Sequence, residues 1–460
     1  MFSRRTLLKT TASGFGYLAF AALAHEQAAR ANPAANPLAP KAPHLPPRAK
    51  RVIFLCMEGG PSHVDTFDHK PRLTADDGKP YNRGRLFGAK LLGSPWKFHQ
   101  HGDSGLWISE LFPEVAKHAD ELCLVNGMQT DLPNHPQAFL QMHCGIFQFP
   151  RPSLGAWVLY GLGTENANLP GFITLGPPAN NGGPANYGSS FLPAVYQGTK
   201  IGGPRFGPAG GDVTQMSNLK NPRRSAAAQR VQLDFLQSLN RGAIEAGGDA
   251  PAIEGVIESY ELAFRMQAEL PKLMDLSGET RATQQLYGIG EAATQGFGRQ
   301  CLLARRFVEA GVRFVEVTAG AWDHHQNLRD ALERNCTAVD RPIAGLLTDL
   351  GQRGLLKDTL VIWGGEFGRT PVAQNGNGRD HNNKGYTIWM AGGGVRGGHA
   401  HGKTDEYGFE AVEGKVHVHD WHATVLHLLG LDHEKLTYRH AGREMRLTDV
   451  KGNVVRGVMG

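Results

Sequence analysis

What most constrains this chain is a short, nearly continuous apolar run, Arg51 to Glu58 (RVIFLCME), that stops abruptly at Gly59-Gly60-Pro61. Consecutive apolar positions over so short a length fit a strand buried on both faces, as in a parallel sheet covered by helices. Runs of the same kind follow at Leu122 to Met128, Arg313 to Thr318, Thr359 to Trp363 and Tyr386 to Ala391. Between them the pattern turns helical, over Ser109 to Asp120, Ser225 to about Gly311, and about Thr337 to Arg353. In the second of these, Glu258, Glu261, Arg265 and Glu269 mark a polar face beside Leu262, Phe264 and Met266. The alternation predicts an α/β fold, a doubly wound, mainly parallel sheet flanked by helices. Leu169 to Pro222, dense in Gly, Pro and Asn, predicts a long loop excursion that joins the helical stretch in a large insertion. A last amphipathic helix is predicted over Asp420 to Leu429, opened by an Asp cap and closed at Gly430.

The N-terminus has a different logic. Ser3-Arg4-Arg5-Thr6-Leu7-Leu8-Lys9 is followed by a Gly/Ala-rich apolar stretch from about Ala12 to Ala24 and an Ala29-Arg30-Ala31 site. That stretch is well short of the roughly 20 residues a membrane span needs, so residues 1–31 are expected to be a twin-arginine signal peptide. Residues 32–50, rich in Pro and Ala, are expected to be an extended linker, and residues 51–460 the α/β domain. The mature chain is then expected to be periplasmic or extracellular, with no transmembrane segment. Arg4, Arg5, Lys9 and Arg30 carry most of the formal net charge of +5. No basic run with interleaved aromatics exists, so a nucleic-acid partner is not expected. The 5 cysteines are scattered and form no CxxC pair, which indicates neither a zinc knuckle nor a disulfide scaffold.

In an open α/β sheet ligands gather beyond the carboxyl ends of the strands. Those positions are rich in metal-ligand residue types: Glu58, Ser62, His63 and Asp65; Asp131, Asn134 and His135; Asp323, His324 and His325; Glu366 and Arg369; and Arg379, Asp380 and His381. One such cluster is commonly a solvated loop or a helix cap, but five on one edge point to a site. Imidazole with carboxylate favours Zn²⁺ or Mn²⁺ over Ca²⁺ or Mg²⁺. Two such ions, roughly 3.5 to 4 Å apart, would hold the attacking and leaving oxygens of an ester. His419, His422 and His427, at helical spacing, read as packing or solvent-facing residues. Gly392 to Gly398 lacks the Lys-Ser/Thr of a P-loop and reads as a turn. Cys56 reads as core, and nothing in the sequence argues for a depressed pKa at Cys144.

GGPSHVDTFDHKP (Gly59 to Pro71), WDHHQN, GGEFGRTP, GRDHN (Gly378 to Asn382), AGGGVRGG (Ala391 to Gly398) and HDWHATVLHLLGLDHEKLTYRHAGR (His419 to Arg443) together resemble the sulfatase-like family called domain of unknown function fifteen-oh-one. The resemblance spans nearly the whole mature chain. It implies an alkaline-phosphatase-like fold of the phosphatase and sulfatase superfamily, and a metal centre. By that resemblance Glu58 is the first acidic ligand, where the superfamily normally has Asp, and Asp323 and His325 are the middle pair. Glu366 stands for the Asp of an Asp-His pair whose His is replaced by Phe367, and His381, with Asp380, is the final His.

The nucleophile position departs from the superfamily, because Asn134-His135-Pro136 offers no Ser, Thr or Cys there. His135 is left as ligand or base, with Thr130 and Ser62 as displaced nucleophile candidates. Alternatively a metal-activated water attacks, with Arg369 or Arg379 stabilising the anion. Two functions follow. One is a metal-dependent hydrolase of sulfate or phosphate esters, acting on polysaccharides by analogy of fold. The other is a relative that has lost catalysis and binds a glycan, an anion or a partner protein.

Overall fold

The computed structural model describes residues 36–460 apart from 83, 204–215, 217–218, 220–222 and 249. The expected signal peptide, residues 1–31, lies outside them. The central sheet contains β1 (Arg51–Met57), β2 (Leu122–Gln129), β3 (Phe172–Leu175), β4 (Thr199–Ile201), β5 (Phe314–Ala319) and β6 (Thr359–Gly364). A hairpin outside the sheet, β7 (Gly368–Gln374) and β8 (Gly378–Asn382), then leads back to β9 (Tyr386–Ala391), β10 (His399–His401) and β11 (Val416–His417). The sheet order is β10-β2-β9-β6-β1-β5-β3-β4, with β11 also paired to β2. β1 pairs in parallel with β5 and β6, whereas β9 is antiparallel to both β2 and β6.

β1 explains the two-faced burial that its sequence implies. Ile53, Leu55 and Met57 enter one hydrophobic cluster and Val52, Phe54 and Cys56 the other, so successive side chains pack on opposite faces of the sheet. Helices α5 (Gln295–Glu309) and α6 (Leu328–Gln352) cover the first face. α1 (His135–Cys144), α2 (Leu154–Leu162) and α7 (Val418–Leu428) cover the second. The helical stretch after residue 225 resolves into α3 (Ala226–Glu245) and α4 (Ala250–Met274), followed by a short helix, Arg281–Leu286, and α5.

Four local expectations are corrected. Ser109 to Asp120 is not an α-helix: a strand ends at Ser109 and a 3₁₀ turn covers Val115–Glu121. Pro113 interrupts the stretch, and the Asp340 carboxylate accepts the Glu114 and Val115 N–H groups at 2.9 and 2.8 Å. The Gly/Pro-rich excursion carries β3 and β4, which extend the main sheet. α6 begins nine residues before Thr337, at Leu328. α7 is capped by His417, and Asp420 closes the capping box from the third helical position. The Pro/Ala-rich segment, for its part, is docked from residue 36 onward: Leu38 and Ala49 are fully buried, and Leu45 N–H bonds to the Gly430 carbonyl. No helix among the described residues is long and apolar enough to cross a membrane.

Candidate metal centre

The parallel strands deliver their carboxyl ends to one edge, and the loops there are packed against each other rather than splayed. Gly59, directly after β1 and Glu58, has φ +117°, and a Cβ there would lie 2.7 Å from the Asp323 nitrogen. Gly378, at the start of β8, would put a Cβ 2.1 Å from the backbone of His325. Glycine at both positions lets the three segments close on one another. α1 begins at His135 because Asn134 caps in extended conformation and Pro136 occupies a first-turn position, where its missing N–H costs nothing. On β8 the register with β7 shifts between Arg379 and His381, a bulge at the point where His381 enters the site.

His135, Asp323, His325 and His381 converge so that one donor atom of each lies within 4.8 Å of the others. Asp323 Oδ1 is the hub, with His325 Nε2 at 2.9 Å, His381 Nε2 at 3.1 Å and His135 Nε2 at 3.2 Å. Each imidazole turns its other nitrogen to an oxygen that only accepts. His135 Nδ1 donates to Glu366 at 2.6 Å, His325 Nδ1 to the Gln374 side-chain oxygen at 2.5 Å, and His381 Nδ1 to the Pro133 carbonyl at 2.8 Å. The three Nε2 lone pairs therefore face one point, and His325 and His381 Nε2 lie only 2.9 Å apart. Three tethered imidazoles and one carboxylate are a donor set for a divalent cation, with the tether oxygens as orienting partners. The buried His135 Nε2, which has no hydrogen-bond partner, fits the same reading.

The electrostatics agree. Burial works against a charged His135, yet its contacts with Asp323 and Glu366 raise its pKa to about 9. Burial also opposes ionisation of Asp323, but His135, His381 and Arg369 hold its carboxyl far below the usual range. A site that draws a proton this strongly is a site for positive charge, and a cation competes for the same lone pair.

Of the six ligand candidates, the structure brings together Asp323, His325 and His381, and adds His135. Glu366 stands one step out: it is fully buried, accepts from His135, and accepts the Gly59 N–H at 3.0 and 3.2 Å. Asp380, at the rim, has an oxygen 4.0 Å from His325 Nδ1 and receives the His381 N–H at 2.8 Å. Glu58 receives a bond from Asn181 at 2.7 Å, and burial, opposed by that bond, raises its pKa. Phe367 is a packed wall, its ring centroid 4.8 Å from that of His135 and 4.5 Å from that of His381.

The catalytic candidates other than His135 have structural employment. Arg369 is wholly buried, donating to Asp323 at 2.7 Å and to the carbonyls of Gly59, Gly60, Trp322 and Arg379. It fixes the hub carboxylate from a fully buried position. Arg379 forms a fully buried two-pronged pair with Asp65 at 2.7 and 3.0 Å, and Ser62 Oγ donates to the same Asp65 at 2.5 Å. Thr130 donates to Gln141 at 2.8 Å. The sequence reading missed Gln374 and the Pro133 carbonyl; the Pro after Asn134-His135 marked the helix start, but no local signal marks Gln374. His419 and His422 donate at 2.7 Å to the Gly145 and Met142 carbonyls, closing the C-terminus of α1.

The molecule is thus a helix-flanked, mainly parallel α/β protein with a histidine and aspartate centre at the carboxyl edge of its sheet. The chain belongs to the family described as Protein of unknown function (DUF1501), whose model matches residues 49–459. No curated protein matches it. Among solved structures it is similar to the lipoteichoic acid synthase LtaP from Listeria monocytogenes, at 8% identity, covering 92% of this chain and 80% of that one, with a TM-score of 0.38. It is also similar to a phosphonate monoester hydrolase from Silicibacter pomeroyi, at 11% identity, 83% and 73% coverage and TM-score 0.38. A third is the alkaline phosphatase of the Antarctic bacterium TAB5, at 10% identity, 85% and 99% coverage and TM-score 0.34.

Proposed function

We propose that this protein is a metal-dependent hydrolase of phosphate or sulfate esters, exported by the twin-arginine route, with polysaccharide esters as its substrate class. The observation that carries the reading is the set of three imidazoles, each tethered through Nδ1, whose Nε2 atoms meet at Asp323. His135, Asp323, His325 and His381 would hold one Zn²⁺ or Mn²⁺, which supplies Lewis acidity to the ester and to water. Four donors around one point favour a single ion over a pair, and Phe367 fills the place of a further imidazole. Because Ser62 and Thr130 are committed to buried hydrogen bonds, water is the nucleophile. Glu58, whose carboxyl pKa burial raises, is the residue assigned to pass a proton.

The test is elemental analysis of protein purified without chelator, together with hydrolysis of nitrophenyl phosphate and sulfate panels. Asp323→Ala and His381→Ala are each expected to lose one metal equivalent and all hydrolysis. Wild type that keeps its fold, takes up no metal at this centre and hydrolyses nothing would move the assignment to a binding protein.

A further inference from the structure

α1 has a histidine at each end. His135 opens it at the candidate centre, and His143 sits eight residues on, roughly 12 Å along the axis at 1.5 Å per residue. There, on the second face of the sheet, His143 meets Cys56 of β1 and Glu316 of β5, and one donor atom of each lies within 4.8 Å of the others. All three are almost wholly buried: Cys56 at 0%, Glu316 at 1% and His143 at 3% exposure.

Several polar atoms in this pocket have no hydrogen-bond partner in the protein. His143 Nδ1 donates to the Phe139 carbonyl of its own helix at 2.8 Å, which turns Nε2 inward. Nε2 stands 3.3 Å from Glu316 Oε2, yet neither atom has a hydrogen-bond partner. The neighbouring strand places Thr174 in register with Glu316, and its buried hydroxyl is also without a partner. Apolar groups close the rest, with Phe139 stacked on His143 and Phe54 at 5.8 Å. Buried polar atoms without hydrogen-bond partners need a polar or charged group to offset their burial.

We propose that Cys56, His143 and Glu316 form a second, structural metal site for a thiophilic divalent cation, Zn²⁺ above others. Thiolate, imidazole and carboxylate are all zinc donors, and with the thiol proton released their two negative charges balance the ion. The Thr174 hydroxyl or a water completes four-coordination. The site pins the far end of α1 to β1 and β5, and so fixes the helix whose first residue is His135.

The test uses the full chain produced in minimal medium with cobalt as the only added transition metal. A thiolate ligand gives Co²⁺ a near-ultraviolet charge-transfer band, and the centre at His135 contains no sulfur, so a band that Cys56→Ser abolishes reports this site. Wild type and His381→Ala are expected to show the band, and Cys56→Ser to lose it together with one metal equivalent. Cobalt-loaded wild type without the band, or a band that survives in Cys56→Ser, overturns the proposal. Should Cys56→Ser fail to fold, X-ray absorption of zinc-loaded wild type decides: a sulfur shell at about 2.3 Å supports the site, and an all-nitrogen-and-oxygen shell refutes it. Since His381→Ala keeps the band, loss of the first centre and loss of this one are read separately.

Discussion

Glu366→Gln tests the assignment of that residue as an orienting partner rather than a ligand. The carboxylate is fully buried and holds His135 Nδ1 at 2.6 Å while accepting the Gly59 N–H at 3.0 and 3.2 Å. Glutamine is nearly isosteric and its oxygen still accepts from His135 and from the Gly59 N–H at 3.0 Å, but the amide nitrogen replaces the second oxygen, 3.2 Å from the same N–H, as donor against donor. The negative charge that makes His135 a better ligand is also gone. Outer partners of this kind are worth about 10- to 100-fold in metal affinity, or about 1.4 to 2.7 kcal/mol. The assay is zinc affinity by competition with a chromogenic chelator, for wild type, Glu366→Gln and His381→Ala, with circular dichroism to verify folding. A Glu366→Gln affinity within about threefold of wild type would refute the tether argument. A loss as complete as that of His381→Ala would make Glu366 a direct ligand, as its resemblance to the superfamily Asp implies.

Ser62→Ala should keep ester hydrolysis within about twofold and lose about 1 kcal/mol of stability, measured by steady-state kinetics and urea unfolding, because its hydroxyl serves Asp65. Breaking the buried Asp65–Arg379 pair with Arg379→Met should cost about 3 to 5 kcal/mol, and Asp65→Leu in the same chain should recover part of it, read from the same unfolding curves. Gly59→Ala combines a left-handed backbone with a clash at Asp323, so a fall in Tm together with weaker metal binding is expected in a thermal melt followed by elemental analysis. Burial above all, with His419 beside it, pulls the His422 pKa down to about 3 from 6.5. The unfolded chain therefore takes up a proton below pH 6.5 that the folded chain refuses. Stability is full above that pH and declines towards pH 3, by about 1.4 kcal/mol between about pH 7.5 and about pH 5.5 from this group. His422→Gln should flatten that slope in chemical denaturation series.

How much was legible follows from where each signal resides. β1 and β9 were readable because a strand buried on both faces leaves consecutive apolar letters, and Tyr386–Ala391 carries the same boundaries in sequence and structure. β3 and β4 were not, because four and three residues embedded among Gly and Pro leave too little pattern. At the site, Asp323, His325, His381 and His135 stood out because strand ends concentrate ligand types on one edge. The role of Glu366 was hidden: whether a carboxylate touches the ion or the imidazole behind it depends on a few ångströms of depth, which no spacing encodes. The burial of Arg369 was hidden for the same reason, since a buried guanidinium serving carbonyls reads identically to one facing substrate.

The place of β2 in the sheet has a consequence for the order of assembly. Although β2 lies in the first third of the chain, its partners are β9, β10 and β11, all beyond residue 385. During synthesis it therefore waits without neighbours until nearly the whole chain has emerged, a sticky apolar segment in need of shielding. His135 follows closely on that strand, so the candidate centre is incomplete on a nascent chain. Its completion reports that the last strands are in place, and unfolding the C-terminal third alone is enough to dismantle it.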